Sequence, residues 1–454
     1  MKNDLGKEEI KKLVWKIAIP CMIAQFINVL YSIIDRIYIG HLPLIGDMAL
    51  AGVGICGPIV TLISAFASLI GIGGGPLCAL SMGEGDNLKA KKIVSNSFKM
   101  LLIISILIVL IIYPFADKML LVFGAGPSTI EYALSYFRIY LIGTPFALLS
   151  IGMNNFINCQ GYSKISMLSV IIGAILNIIL DPIFMFIFDM GVKGAALATI
   201  ISQFISCIFV IGVLLSNKLE ISLCFLKLEK DICLSILKLG FTGFIIIVFD
   251  NVMIIAMNAQ LQKYGGNTYG DILISVNTIL QSFMLIVTMP LGGISSGTGC
   301  ILSYNYGAYK IDRVKDAYIY ISKICVLYCL IMFIIVWLFG KNFILLFNSN
   351  SLIIEETLKA MHIYTLFIIP LGLQYELVDG MTALGQAKIS LFLSFFRKTI
   401  FFVSLFILPI LFNVEMIFLA EAISDFVAPI VSYKITKKNF NHIMDNRLWN
   451  KKEA

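Results

Sequence analysis

Asn177-Ile178-Ile179-Leu180-Asp181-Pro182 puts an amide and a carboxyl four residues apart, on one face of a helix, directly before a proline. Pro182 lacks an N–H and leaves the carbonyl of Ile178 without its helical donor, so a carboxylate, an amide oxygen and a free carbonyl gather in one place. That set suits a proton or a small hard cation; the plainer alternative is a kink whose polar groups satisfy one another. Thr199 and Gln203, again four apart, sit where the next helix could complete the set. A second stripe, Gln25, Asn28, Ser32 and Asp35, follows i, i+3, i+7, i+10 spacing in an otherwise apolar stretch and must face protein or water. Asp35 either takes part in ion binding or pairs locally with Arg36 near the headgroups, from which Arg can also snorkel away.

These groups carry weight because of where they lie. The 454-residue chain is 59% hydrophobic and 13% charged, with a mean hydropathy of +0.94; so much apolar surface requires lipid as its solvent. A carboxylate at the centre of a membrane helix costs about 3 kcal/mol on insertion scales, so each needs a partner or a role. Further polar residues in apolar runs are Asn154 and Asn158, read as a pair, then Asp250, Asn251, Asn277, Gln281, Glu376, Asp379, Arg397, Glu421 and Asp425. Arg397 is expected to neutralise one of the buried acids. Glu421 and Asp425, four apart, repel if both ionise, so one must be protonated or paired. Met253 and Met257 add flexible thioethers suited to a permissive cavity for flat cations. From Asn154 through Arg397 these residues are candidates for a substrate cavity or a second acidic site.

Apolar runs long enough to cross a bilayer lie near 13–39, 49–77, 93–115, 132–153, 165–188, 192–216, 233–262, 272–302, 317–340, 358–381, 389–412 and 414–436. The pattern is written twice. Residues 71–85 return as 293–307, sharing Gly71/Gly293, Ile72/Ile294, Gly75/Gly297, Cys78/Cys300, Leu80/Leu302, Ser81/Ser303 and Gly85/Gly307; residues 161–166 return as 385–390. An even number of spans per copy makes the copies run parallel. The expected fold is an all-α membrane protein with 12 transmembrane helices in two parallel six-helix lobes with pseudo-twofold symmetry. The lobes fall at 1–216 and 233–436, joined by a cytoplasmic linker at 217–232 and followed by a cytoplasmic tail at 437–454. The small residues of the doubled segment, Gly75 and Gly297 among them, are expected to let the second and eighth spans pack closely.

Lys and Arg crowd alternate loops, from Lys2–Lys16 through Lys89–Lys99, Lys218–Lys238 and Lys310–Lys323 to Lys434–Lys452, which sets both termini in the cytoplasm of a multi-pass cell-membrane protein. The net charge of +7 is thus a topology signal, and no nucleic-acid partner is expected. No cleaved signal peptide is expected either. The ten cysteines fall mostly inside apolar runs and read as small hydrophobes. His41, His362 and His442 are too dispersed to cluster, and with no nucleophile–base pair or metal motif an enzyme is the least favoured class. No cofactor is expected.

The residues quoted above resemble the multidrug and toxic compound extrusion (MATE) transporters, most of all their MepA-like bacterial branch. The likeness rests on Asp35 followed by Ile39-Gly40, residues 75–86, Asn177 to Pro182, Gly191 to Thr199, and Arg397 with Ala420 to Asp425, and it covers nearly the whole chain. It implies two lobes rocking between inward-open and outward-open states, exporting cationic or amphipathic small molecules against inward H⁺ or Na⁺, with the protein working as a monomer. It implies that Asp35, Asn177, Asp181 and Thr199 form the ion site, with no metal beyond Na⁺ there. The NorM-like branch uses acids of the seventh and tenth helices; Asp250 and Asp379 fall in those spans, Asp379 closer to Gly385 than that pattern has it. The alternative is a flippase for a lipid-linked oligosaccharide or peptidoglycan precursor, which would need a cationic cavity for pyrophosphate from the few deep basic residues, Arg138, Arg397 and Lys398. A channel or sensor would need no doubled unit.

Overall fold

The computed structural model describes residues 3–43, 45–347 and 350–453. Among these, the chain is helical with no strand. The helices of the first lobe are α1 (Ile10–Gly40), α2 (Gly46–Glu84), α3 (Asn87–Ile112), the short α4 (Ala116–Val122), α5 (Ile130–Asn158), α6 (Ser163–Pro182) and α7 (Gly191–Leu215). The second lobe has α8 (Lys230–Gly307), α9 (Ile311–Leu345), α10 (Ser351–Tyr364), α11 (Ile368–Ala383), α12 (Ala387–Leu411) and α13 (Leu419–Glu453). Within α8, Gly266 takes φ 69°, and the segment divides there into two arms, Lys230–Gly266 and Ile272–Gly307. The asparagines Asn258 and Asn277 pair across the arms at 2.7 Å, which fixes them side by side.

Among the described residues, ten helices are long and apolar enough to span a bilayer, the two arms of α8 counted separately. The remaining two expected spans carry most of the buried charge. One is broken into α10 and α11 by the turn at 365–367, where Thr365 turns its hydroxyl back onto the carbonyl of Met361 at 2.7 Å. The other, α13, begins at Leu419 with Glu421 in its first turn and continues through the expected tail to Glu453, one unbroken helix. Proline shapes two further helices. Pro20 cannot donate to Lys16, and that carbonyl instead accepts from the Ser163 hydroxyl at 3.3 Å. After Pro182, residues Ile183–Ile187 form a π-helical turn, in which the N–H of Phe188 reaches the carbonyl of Ile183 at 2.9 Å.

The lobes meet along α2 and α8. A Cβ on Gly73 would stand 2.2 Å from the carbonyl oxygen of Ile236, one on Gly83 2.1 Å from that of Tyr304, and one on Gly307 2.1 Å from that of Leu80. Only glycine allows backbones this close. The expectation that Gly75 and Gly297 make this contact is corrected: Gly75 faces Asn155 inside its own lobe, and Gly297 lies against Cys21 of α1. Helical rotation turns those two positions away from the α2–α8 line.

Polar contacts between the lobes gather at the end that carries both termini. Asn305 and Lys310 each donate at 2.8 Å to the carbonyls of Leu5 and Gly6, and within the first lobe Asn3 anchors that N-terminal segment on the carbonyl of Gly161 at 3.0 Å. Arg313 donates to the carbonyl of Glu8, also at 2.8 Å. Arg447 ties Glu84 at 2.7 Å while lying over the rings of Tyr306 and Tyr309. The extended segment before α8 is bound to the first lobe: Ile221 and Gln160 exchange hydrogen bonds at 2.8 and 3.1 Å, and the N–H of Glu229 reaches Asn96 at 2.8 Å.

Candidate functional site: a buried carboxyl pair in the first lobe

α6 and α7 lie side by side and bring their polar faces together. Asn177 donates to Asp181 at 3.2 Å and to the hydroxyl of Thr199 at 3.4 Å. That hydroxyl in turn donates to the carbonyl of Ala195 at 3.0 Å, leaving its lone pairs pointed at Asn177. Asp181 is wholly buried, and Asn177 and Thr199 nearly so. α1 completes the site by bringing the Asp35 carboxyl within hydrogen-bonding reach of Asp181. All four residues expected at the ion site therefore meet.

What matters chemically is the surplus of acceptors. Asp35 Oδ1, Asn177 Oδ1, Asp181 Oδ2 and Gln203 Oε1 are buried without any donor. Arg36, the local partner considered for Asp35, is an exposed residue whose charge still reaches Asp35, although no ion pair joins the two among the described residues. Two carboxylates at this separation repel unless something positive lies between them, so the pair as a unit takes up a proton or a cation. The oxygen set, two carboxyls with an amide and a hydroxyl, is what a hard monovalent cation coordinates. Among the described residues no group of three or more His, Cys, Asp or Glu is placed to hold a metal ion.

Three tyrosines missed at the level of sequence surround the pair. Tyr31, Tyr136 and Tyr140 are close enough to interact with one another, Tyr31 and Tyr136 with Asp35 as well, and the Tyr140 hydroxyl is within reach of Ser64 and Gln203. Their signal was present: Tyr136 and Tyr140 are four apart on α5, and their rings stack at 6.3 Å.

The second lobe uses its acids differently. Arg397 of α12 binds both Glu421 and Asp425 of α13, the latter at 2.8 and 2.9 Å, so the single guanidinium answers the repulsion expected of that pair. Lys398, nearly buried, binds Asp250, whose side chain is half exposed. Asp379 accepts from Ser295 at 2.5 Å. Glu376 is wholly buried with neither carboxyl oxygen hydrogen-bonded. Gln281 links Asn277 and the Tyr364 hydroxyl, each at 3.3 Å.

The other candidates separate. Asn154 and Asn158 do not pair: Asn154 donates to the carbonyl of Ser166 within its lobe at 3.2 Å, and Asn158 crosses to that of Gly297 at 2.9 Å. Met253 and Met257 are both buried in the apolar core of the second lobe. Helical spacing gave them a common face, but that face packs inward.

Comparison with known proteins agrees with this architecture. The MatE family model matches residues 20–183 and again 247–407, once in each lobe. The multidrug export protein MepA of Staphylococcus haemolyticus is 26% identical over 440 residues, covering 95% of each chain. MepA of Staphylococcus aureus strain N315 is 25% identical, covering 94% of each. A structure described as the outward-facing conformation of a multidrug resistance MATE family transporter superposes with a TM-score of 0.90 at 22% identity, covering 97% of this chain and 98% of that one. A MOP superfamily transporter from Pyrococcus furiosus, whose description assigns it a binding pocket of reversed polarity, also gives 0.90, at 23% identity over the same shares.

Proposed function

The chain belongs to the MatE family of membrane transporters, which are not enzymes, and we propose that it is a secondary active antiporter exporting organic cations in exchange for H⁺ or Na⁺ by alternating access. The observation that carries this reading is the Asp35–Asp181 pair, set beside Asn177 and Thr199 with buried acceptor oxygens that no donor meets among the described residues. Both termini lie at the cytoplasmic side in this reading, which makes the polar contacts at their end a closed cytoplasmic gate and the opposite end the one open to the outside. In that state the pair loads an ion from outside, and its charge no longer favours a cationic drug, which leaves. When the lobes rock to face inward, ion release restores the negative site for the next drug. Such coupling requires the two states to bind ion and drug with different affinities.

The flippase alternative lacks its cationic cavity. Arg397 and Lys398 are neutralised by Glu421, Asp425 and Asp250, and Arg138 lies 6.0 Å from the Tyr113 ring.

Asp181→Asn tests the proposal. In vesicles given pH and Na⁺ gradients separately, the wild-type protein should drive efflux of an ethidium-type dye under one of them. The variant should be produced at the same level and export no more dye than protein-free vesicles. Efflux equal to wild type would remove Asp181 from the mechanism.

A further inference from the structure

Cys78 and Cys300 occupy equivalent places in the doubled segment, and the fold sets them on opposite sides of the seam, on α2 and the second arm of α8. Cys159, just past the end of α5, lies within hydrogen-bonding reach of the Cys78 thiol. Cys159 and Cys300 line one narrow cleft between the lobes, together with Asn155, Asn158 and Asp379. Cys21 adds a fourth thiol at the edge, donating to Asn158 Oδ1 at 3.4 Å beside the bare Gly297. All of these cysteines are free, and none belongs to the carboxyl-pair site.

We propose that this seam is a binding site for soft, thiophilic cations of the Hg²⁺ class, with Cys159 of the first lobe and Cys300 of the second as the bridging ligands and Cys78 flanking them. Soft cations prefer sulfur and are content with two thiolates, which is what the two lobes offer across this cleft, whereas tetrahedral zinc takes four ligands. The Asp379 carboxylate in the cavity wall draws cations in. Binding is ligand exchange without oxidation: HgCl₂ gives up its two chlorides and the two thiols their protons to solvent, as two Hg–S bonds form. Because the two thiols belong to different lobes, the bound ion holds the seam closed, and the protein stops in the outward-facing state.

The test uses the full-length protein in vesicles, with HgCl₂ as the probe, dye efflux as one readout and the number of maleimide-reactive thiols as a second that does not depend on the coupling ion. About one equivalent of Hg²⁺ should abolish wild-type efflux and protect a pair of thiols, with both effects reversed by excess dithiothreitol. Cys300→Ala and Cys159→Ala, checked against the serine variants for folding, should each transport normally and keep that transport at the same dose. Arrest of both variants as in wild type, or no arrest of wild type, overturns the proposal. If Cys300→Ala is arrested while Cys78→Ala and Cys159→Ala escape, the ion sits within the first lobe and the bridge is refuted.

Discussion

The two lobes hold buried acids in opposite ways. In the first, Asp35 and Asp181 face each other with no basic side chain between them. In the second, Glu421 and Asp425 share Arg397, and Asp250 has Lys398. At equivalent places in the doubled sequence, Asp35 corresponds to Met257 and Asp181 to Leu405, both of which are core residues of the second lobe. An acid with a fixed counter-charge holds helices together, whereas a pair without one must recruit its positive charge from solution. The difference lies in the partners: the first lobe sets Asp181 against Asp35, and the second buries Glu421 and Asp425 against Arg397.

The largest effect should come from breaking the paired side. Arg397→Met leaves Glu421 and Asp425 buried without a cation, which costs about 3–5 kcal/mol. Thermal unfolding in detergent should show a large drop for this variant and little change for Asp181→Asn, whose loss is in transport. If the two variants lose stability equally, the lobes do not differ as described.

Glu376 sharpens the contrast further. Both of its carboxyl oxygens are buried without a hydrogen-bond partner, whereas Asp181 accepts from Asn177 and lies within reach of the Asp35 carboxyl. Glu376→Gln keeps the side chain's size and replaces one carboxyl oxygen by an amide nitrogen, and it should leave dye efflux within about twofold of wild type, some 0.4 kcal/mol. An outcome as severe as that of Asp181→Asn would place ion coupling in both lobes.

The smallest effect belongs to an acid outside the bilayer. The hydrogen bond from Lys16, with another from the Asp4 backbone, holds Glu8 below the ordinary carboxylate range. A lowered folded-state value means the contribution is full above the ordinary range and disappears as pH falls through the lowered value. Glu8→Gln should cost about 0–1 kcal/mol at neutral pH, and that difference from wild type should vanish in acid unfolding measurements.

Much of this was legible in the sequence because membrane helices announce themselves by length and apolarity, and i, i+4 spacing reports a shared face. Asn177, Asp181 and Thr199 were found that way. Spacing does not say which helix lies opposite, so the partners of Arg397, the tyrosines around Asp35 and the parting of Asn154 from Asn158 required the fold. The charges of α11 and α13 hid a broken helix and an unusually long one, since composition alone does not show where backbone hydrogen bonds stop.

The glycine contacts along α2 and α8 have a mechanical consequence. Where Gly73, Gly83 and Gly307 press directly on opposing carbonyls, no side chains interlock, so nothing must change rotamer when the surfaces part or meet. Such a joint acts as a plain bearing: it separates without tearing teeth from sockets, and a single added methyl is a wedge that would keep it from closing.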